Sequence, residues 1–406
     1  MASEIQDSLY SRFLAVPEVT LGTTPAAAAY VINAQVAAIR RNRSRKTPSV
    51  WTNSRRPHPS RIVAKDGALE LMAPLQHDNC LPLLEAFMGG SRAAAITVTN
   101  TDINFDATAN AIEQVGAGLG SFALGYMVHV SGAANAANNG WKGPILSAAA
   151  GALGVPAGQL VEEAAGASVT LETIPLLDSD TEKSLSVMWH GVKLEYRRAM
   201  RGAKVDTFGL DFNLEDFIGE KYTIMGRDPL EVASDIGSGT VAGTPKTTGY
   251  MTEADDIKRV RIGNVANGEL DLALSTLAFQ ARNGRTPVRA LGDGGVPRDH
   301  RFGVLGAEFT ATAIADAAAL TLQDIIDADE TVWAYTSVED PAGYGLCVLL
   351  AAAKAIGDLV PKESGSLVDF GDLRIDAHDP SKDSASDLYN SGSGPGFMLG
   401  IFFRTP

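Results

Sequence analysis

From Gly202 to Pro229 the chain reads GAKVDTFGLDFNLEDFIGEKYTIMGRDP, with polar and apolar positions alternating. Asp206, Phe208, Leu210 and Phe212 fall on one side and Val205, Thr207, Gly209 and Asp211 on the other, the period of a strand with one buried face. A turn at Gly219-Glu220 and a second run, Tyr222 to Met225, complete a predicted hairpin. Similar short runs, Ile96 to Thr99 and Val169 to Leu171 among them, recur along the chain between Gly, Asn, Asp and Pro clusters, so the expected class is mainly β. Helical periodicity stands out twice, in HDNCLPLLEAFMGG, with Asp78 or Asn79 as cap and Gly89 as stop, and in DAAALTLQDIIDAD around Ile325.

The segments before these two helices match in order: an apolar strand, a basic patch (Arg-Asn-x-Arg type), Thr-Pro, a polar loop with Pro and His, then a strand. The offset is roughly 240 residues; after the helices, strands ending in Asp-Pro match at roughly 150. The first copy therefore holds an excess of roughly 90 residues, about one small domain. The expected organisation is a first module at 1–91 and 175–235, a small all-β insert at 92–174, and a second module at 236–406.

The chain has 406 residues, 45% of them apolar and 20% charged, which is globular composition. Cys80 and Cys347 have no zinc-like spacing, and His58, His77, His129, His190, His300 and His378 are scattered, so no metal or other cofactor is expected. GAGLGSFALG at Gly116 lacks the GxGxxG spacing and reads as a turn, and no nucleophile or zinc-protease motif occurs. An enzyme is not expected; a β-rich hydrolase would need an acidic or histidine cluster assembled from distant residues. The N-terminal residues lack a signal-peptide pattern and no apolar run suits a spanning helix.

Net charge is −14, which disfavours a binder that neutralises phosphates. Between Val19 and Lys65, however, there is no acid, while Arg40, Arg41, Arg43, Arg45 and Lys46 crowd together. A basic segment on an acidic chain could grip nucleic acid or meet the acidic surface of another copy, and the overall acidity favours the second.

The order EVTLGTTPAAAAYVINAQ, then SRIVAKDGALELMAPLQHDNCLPLLEAFMGG, then an insert containing NNGWKG, then YRRAMRGAKVDTFGLDFNLEDFIGEKYTIMGRD, resembles the major tail tube proteins of long-tailed bacteriophages over nearly the whole chain. The resemblance implies tandem β-sandwich or half-barrel modules, each with a flanking helix, whose inner sheets join across subunits into a closed β-barrel ring. It implies stacked rings, a channel for DNA ejection without specific DNA binding, and no catalysis. The implied partners are other copies of the chain and the tail tip, tape-measure and tail terminator proteins. The implied place is the virion tail, after synthesis in the host cytoplasm. Two modules per chain lead to the expectation of a homotrimer with pseudo-sixfold symmetry, with a homohexamer as the alternative. Arg40, Arg41, Arg43, Arg45 and Lys46 are candidate contacts to the acidic loops of the next ring, and Thr207, Gly209 and Asp211 a candidate lumen-facing strand in a channel whose acids repel DNA. The alternative function is a carbohydrate-binding adhesin or virion decoration protein, resting on an exposed Trp141 in the insert, although an isolated Trp is expected to pack into the insert's own core.

Overall fold

The computed structural model describes residues 11–47, 59–212, 216–237, 241–242, 248–252, 257–264, 266–314, 317–357, 361–364, 367–379 and 397–405. His58, one of the six scattered histidines, lies outside them.

A run of antiparallel strands forms one layer. Its members in chain order are β3 (Val36–Lys46), β4 (Arg61–Pro74), β7 (Tyr196–Phe212), β8 (Gly219–Gly226), β11 (Leu274–Arg282), β12 (Gly306–Ile314), β15 (Pro361–Ser364) and β16 (Leu367–Ala377). In space the order is β3-β4-β8-β7-β11-β12-β16-β15. Among the described residues the sheet is open and does not close into a barrel within the chain. Both ends of this run, β3 and β15, are paired on one side only among the described residues.

The second layer is built from β1 (Ser11–Pro17), β2 (Ala29–Ile32), β6 (Leu185–Gly191) and the first half of β7, and from β9 (Ile257–Asn264), β10 (Gly268–Asp271), β13 (Thr331–Glu339), β14 (Gly345–Ile356), β17 (Leu399–Arg404) and the end of β5 (Val169–Leu177). β7 belongs to both layers: Tyr196 to Ala203 pair with β6, Lys204 to Asp211 with β8. The changeover occurs at Gly202, whose φ of 59° lies in the left-handed region that a Cβ disfavours.

Period-2 alternation explains what lies between the layers. Leu69, Leu71, Phe208, Leu210, Phe279, Phe309, Leu373 and Ile375 point inward and are all buried. Helix α1 (Leu81–Met88) covers the first part of this surface with Leu83, Leu84 and Phe87, and α2 (Ala317–Asp327) the second with Ala319, Leu322 and Ile325. The rings of Phe87 and Phe208 lie 6.0 Å apart, and Phe208 stacks on Tyr222 at 5.2 Å.

Two local expectations fail. The α1 N-cap position is Cys80, with no side-chain cap. Asn79 instead spends its carbonyl on Asn33 N and its amide on Asn33 O, holding the β2–β3 turn, and Asp78 pairs with Arg92. Pro at the start of α1 lowers the need for a cap because it has no N–H to satisfy. Gly89 does stop the helix, with φ 72°. Gly219-Glu220 is no turn either: both residues already pair with β7 and β4 as the first rungs of β8.

Residues 96–171 build a separate small core around Phe105, Ile112, Trp141, Leu153 and Val169. Trp141 is 1% exposed, so it packs inward. The sugar-binding reading thereby loses the residue it rested on. Gly116 has φ 99° and Leu119 and Phe122 beside it are buried, so GAGLGSFALG is a turn with apolar anchors. β5 runs straight from this core into the main layer, pairing first with Ile96–Asn100 and then with β17.

Glu220 lies on the core side of β8, accepting a hydrogen bond from the Tyr222 hydroxyl at 2.8 Å. Burial pushes its pKa up to about 7. Stability from this neutral carboxyl is complete below the unfolded value of about 4.3 and is lost as pH rises through about 7. Glu220→Gln is therefore expected to gain on the wild type as pH is raised from 5 to 8, checked by urea unfolding at both values. Phe208→Ala is expected to lose about 3–5 kcal/mol, and Thr207→Ala on the opposite face under about 0.5, in the same assay.

Candidate assembly surfaces

The side of the β3-to-β15 layer that faces away from the core is polar. Arg40, Glu70, Met72, Lys221, Gln280, Arg282, Thr310 and Arg374 are exposed on it, and Thr207, Gly209 and Asp211 sit half-exposed among them. The alternation read from Thr207 to Phe212 is thus the observed one, and the strand's partners are β8 and β11; it fails at Val205, which is buried rather than outward because the ladder to β8 shifts between Val205 and Thr207. Charges on this face come in pairs: Arg40 with Glu70 at 3.4 Å, Lys221 with Asp211, and Arg374 with Glu308 at 2.8 Å and Asp376 at 2.5 Å. Threonines fill the gaps, with Thr276 donating to Thr312 at 2.9 Å. Among the described residues, these pairs cancel charge locally on the face.

The five basic candidates do not act as one cluster. Arg40 is on the polar face with Glu70. Arg41 donates to Pro229 O at 2.7 Å, and both Arg41 and Arg43 lie beside Asp228, at 3.5 and 3.4 Å. These three contacts tie β3 to its own chain. Arg45 and Lys46, at the far end of the edge strand, are exposed.

At the middle of the layer β7 and β11 pair from Thr207↔Arg282 to Phe212↔Leu277. The residues just beyond β11 close this seam in a way the sequence did not announce. Asn283 donates to Phe87 O at 3.0 Å, a carbonyl at the C-terminal end of α1, which the helix itself cannot satisfy. Arg285 donates through its backbone to Asp206 Oδ1 at 2.6 Å and through Nε to Val205 O at 2.7 Å, with Nη1 3.9 Å from Glu182. Its guanidinium lies 4.0 Å from the Phe302 ring centroid. Burial pulls its pKa down to about 10, so it stays charged. Lys204, also buried, pairs with Glu182 and with Asp299, whose carboxyl is held below its usual range by that ammonium despite its own burial. The signal for this network was present as the Arg-Asn-x-Arg patch, but only folding brings it to Glu182, a hundred residues upstream.

Four histidines, His77, His129, His190 and His300, are buried, His378 is half-buried, and His190 Nδ1 lies 3.0 Å from Asp235. Burial first, and then Arg404 and Lys142, pull His129 down to about 3, so it is neutral. Among the described residues no three His, Cys, Asp or Glu side chains gather as a metal site.

An open, two-layered β chain with a balanced polar face and strand edges at both ends has the form of an assembly subunit. The model of one family, phage tail tube protein, matches residues 10–357. The chain belongs to the phage tail tube protein family. It is a structural protein of the virion tail, with a non-enzymatic role. Among curated proteins no match is found. No helix of the described residues of this tail tube protein is long and apolar enough to cross a membrane.

Removing one partner of a buried charge network leaves the others uncompensated. Arg285→Ala is expected to destabilise the tail tube protein by about 3–5 kcal/mol, measured by urea unfolding, while Arg282→Ala on the exposed face stays within about 0.5.

Proposed function

We propose that the chain is a double tail tube subunit, three copies of which close into one ring of the tube. The observation that carries this reading is the β7–β11 seam. It joins two strand groups side by side within one chain, and leaves β3 and β15 as outer strands paired on one side only among the described residues.

The two groups repeat each other in pairing as well as order. Ala38↔Glu70 in β3–β4 corresponds to Ala278↔Thr310 in β11–β12 under a single shift of about 240 residues. Leu69↔Ile224 in β4–β8 corresponds to Phe309↔Ile375 in β12–β16 with shifts of about 240 and 151. β1 beside β6 corresponds likewise to β9 beside β13, and α1 to α2. This supports modules at 1–91 with 175–235 and at 236–406, separated in the first by the insert at 92–174.

An edge like β3 would aggregate at random unless a defined partner covers it. If β15 and the end of β14 in one copy meet β3 of the next as β7 meets β11, the interface is head-to-tail and closes into a ring. Strands about 4.8 Å apart and tilted by about 40° would give three such copies a barrel of roughly 50 Å backbone diameter, and one copy a barrel of roughly 16 Å, already filled by side chains. Six copies would roughly double the larger figure. The three-copy barrel suits passage of a DNA duplex.

Thr207, Gly209 and Asp211 then line the bore. Its paired charges present no strip of free cations to hold phosphates and no uniform acidic wall, so DNA would slide during ejection over a surface of low net potential. Tail tip, tape-measure and terminator proteins are the partners such a tube needs at its ends and inside. Electron cryomicroscopy of assembled tubes is expected to show threefold rings with Thr207 and Gln280 on the bore; six copies per ring, or this face on the outside, would overturn the reading.

A further inference from the structure

The seam inside the chain places a basic strand end on an acidic loop. The strand end is RNGRTP, from Arg282 to Pro287, and the loop is LLDSDTE, from Leu176 to Glu182, lying against the C-terminal end of α1. Each has a second version in the sequence. RSRKTP, from Arg43, ends β3, and IIDADE, from Ile325 to Glu330, ends α2 and runs into β13. The first versions of strand end and loop belong to different halves of the pairing repeat, as do the second.

Only one of the two combinations is made within the chain. RNGR meets LLDSDTE through Arg285, whose Nη1 lies 3.9 Å from Glu182, while Asn283 donates to Phe87 O beside that loop and Lys204 of β7 pairs with the same Glu182. The other two pieces sit at opposite ends of the layer, on the β3 side and the β15 side, so they cannot meet in one copy. Their charged side chains are out in solvent: Arg45 and Lys46 on one, Asp327 and Asp329 on the other. Asp329 Oδ1 lies 3.4 Å from Lys354 Nζ, a pair between exposed groups that contributes little by itself.

We propose that Arg45 and Lys46 of one copy dock on Asp327 and Asp329 of the copy beside it in the same ring, repeating between copies the seating of Arg285 on the Glu182 loop within one. The partner is a second copy of this chain, recognised by an unpaired strand edge and by opposite charge at its end. The inference rests on the ring reading and deepens it: the basic segment becomes a lateral latch rather than an axial contact between rings. Closing the strand edges desolvates these charges, which is where ion pairs gain weight and select against wrong partners.

The test is a charge swap in the full-length chain. Arg45→Glu with Lys46→Glu, and separately Asp327→Lys with Asp329→Lys, are each expected to raise the concentration at which rings form by about tenfold or more, read by sedimentation velocity and negative-stain imaging. Circular dichroism and the urea midpoint should stay at wild-type values because all four residues are exposed. Combining the four changes is expected to bring ring formation back to within roughly threefold of wild type. Asp327→Asn with Asp329→Asn, which removes charge without reversing it, should give a smaller rise and serves if the lysine variant misfolds. Double variants that assemble like wild type, or a combination no better than either, overturn the latch while leaving the ring intact. Variants that form rings but fail to stack them return the basic segment to an axial role. A wild-type chain that never passes beyond the monomer overturns the ring, and the latch with it.

Discussion

The pairing of Thr207–Phe212 with Leu277–Arg282 is the contact on which the rest of the molecule depends. A strand edge presents a row of N–H and C=O groups that must be satisfied by something. By using the far edge of β7 and the near edge of β11 on each other, the chain turns two small sheets into one long layer with a continuous apolar underside. Phe208, Phe279 and Phe309 run across the seam, with ring centroids 5.7 and 5.0 Å apart, so the seam is core as well as hydrogen bonding. The buried network of Lys204, Arg285, Glu182 and Asp299 then fixes its end, where a slip of one residue would expose every one of these aromatics.

The same layer has a second face, and there the constraint is different. None of the described residues covers Arg40, Lys221, Gln280 or Arg374, so that face must be compatible with water and, in the proposed tube, with passing DNA. Arg40–Glu70, Lys221–Asp211 and Arg374–Glu308 cancel charge locally. Exposed pairs of this kind add little stability, so their value is better seen in the field they remove. The net charge of −14 said nothing about this face, because it sums over the whole surface.

Much of this was legible in the residues. Alternation at Phe208, Leu210 and Phe212 assigned strand and inward face correctly, because a period of two admits only two faces and one of them was apolar. Gly89 was legible as a helix stop because only a residue without Cβ takes its φ of 72° readily. The caps were not: Asp78 and Asn79 have capping chemistry, but Arg92 and Asn33, close only after folding, compete for it successfully. The burial of Trp141 was legible too, because an isolated Trp usually finds burial, but its neighbours Phe105, Ile112 and Leu153 emerge only in the folded insert.

By itself, then, the sequence determined the β class, the inward faces, the two helices and membership of a tail tube family, since these depend on local periodicity and on the order of elements along the chain. Only the tertiary structure decided which edges remain open and which basic groups are already engaged. Arg41 and Arg43 on Asp228, and Arg285 on Val205 and Glu182, look no different in sequence from Arg45 and Lys46 at the exposed end. The physical reason is that hydrogen bonds and ion pairs between strands are set by register across long loops. A residue's partner there lies far away in sequence, and its own neighbours do not encode it.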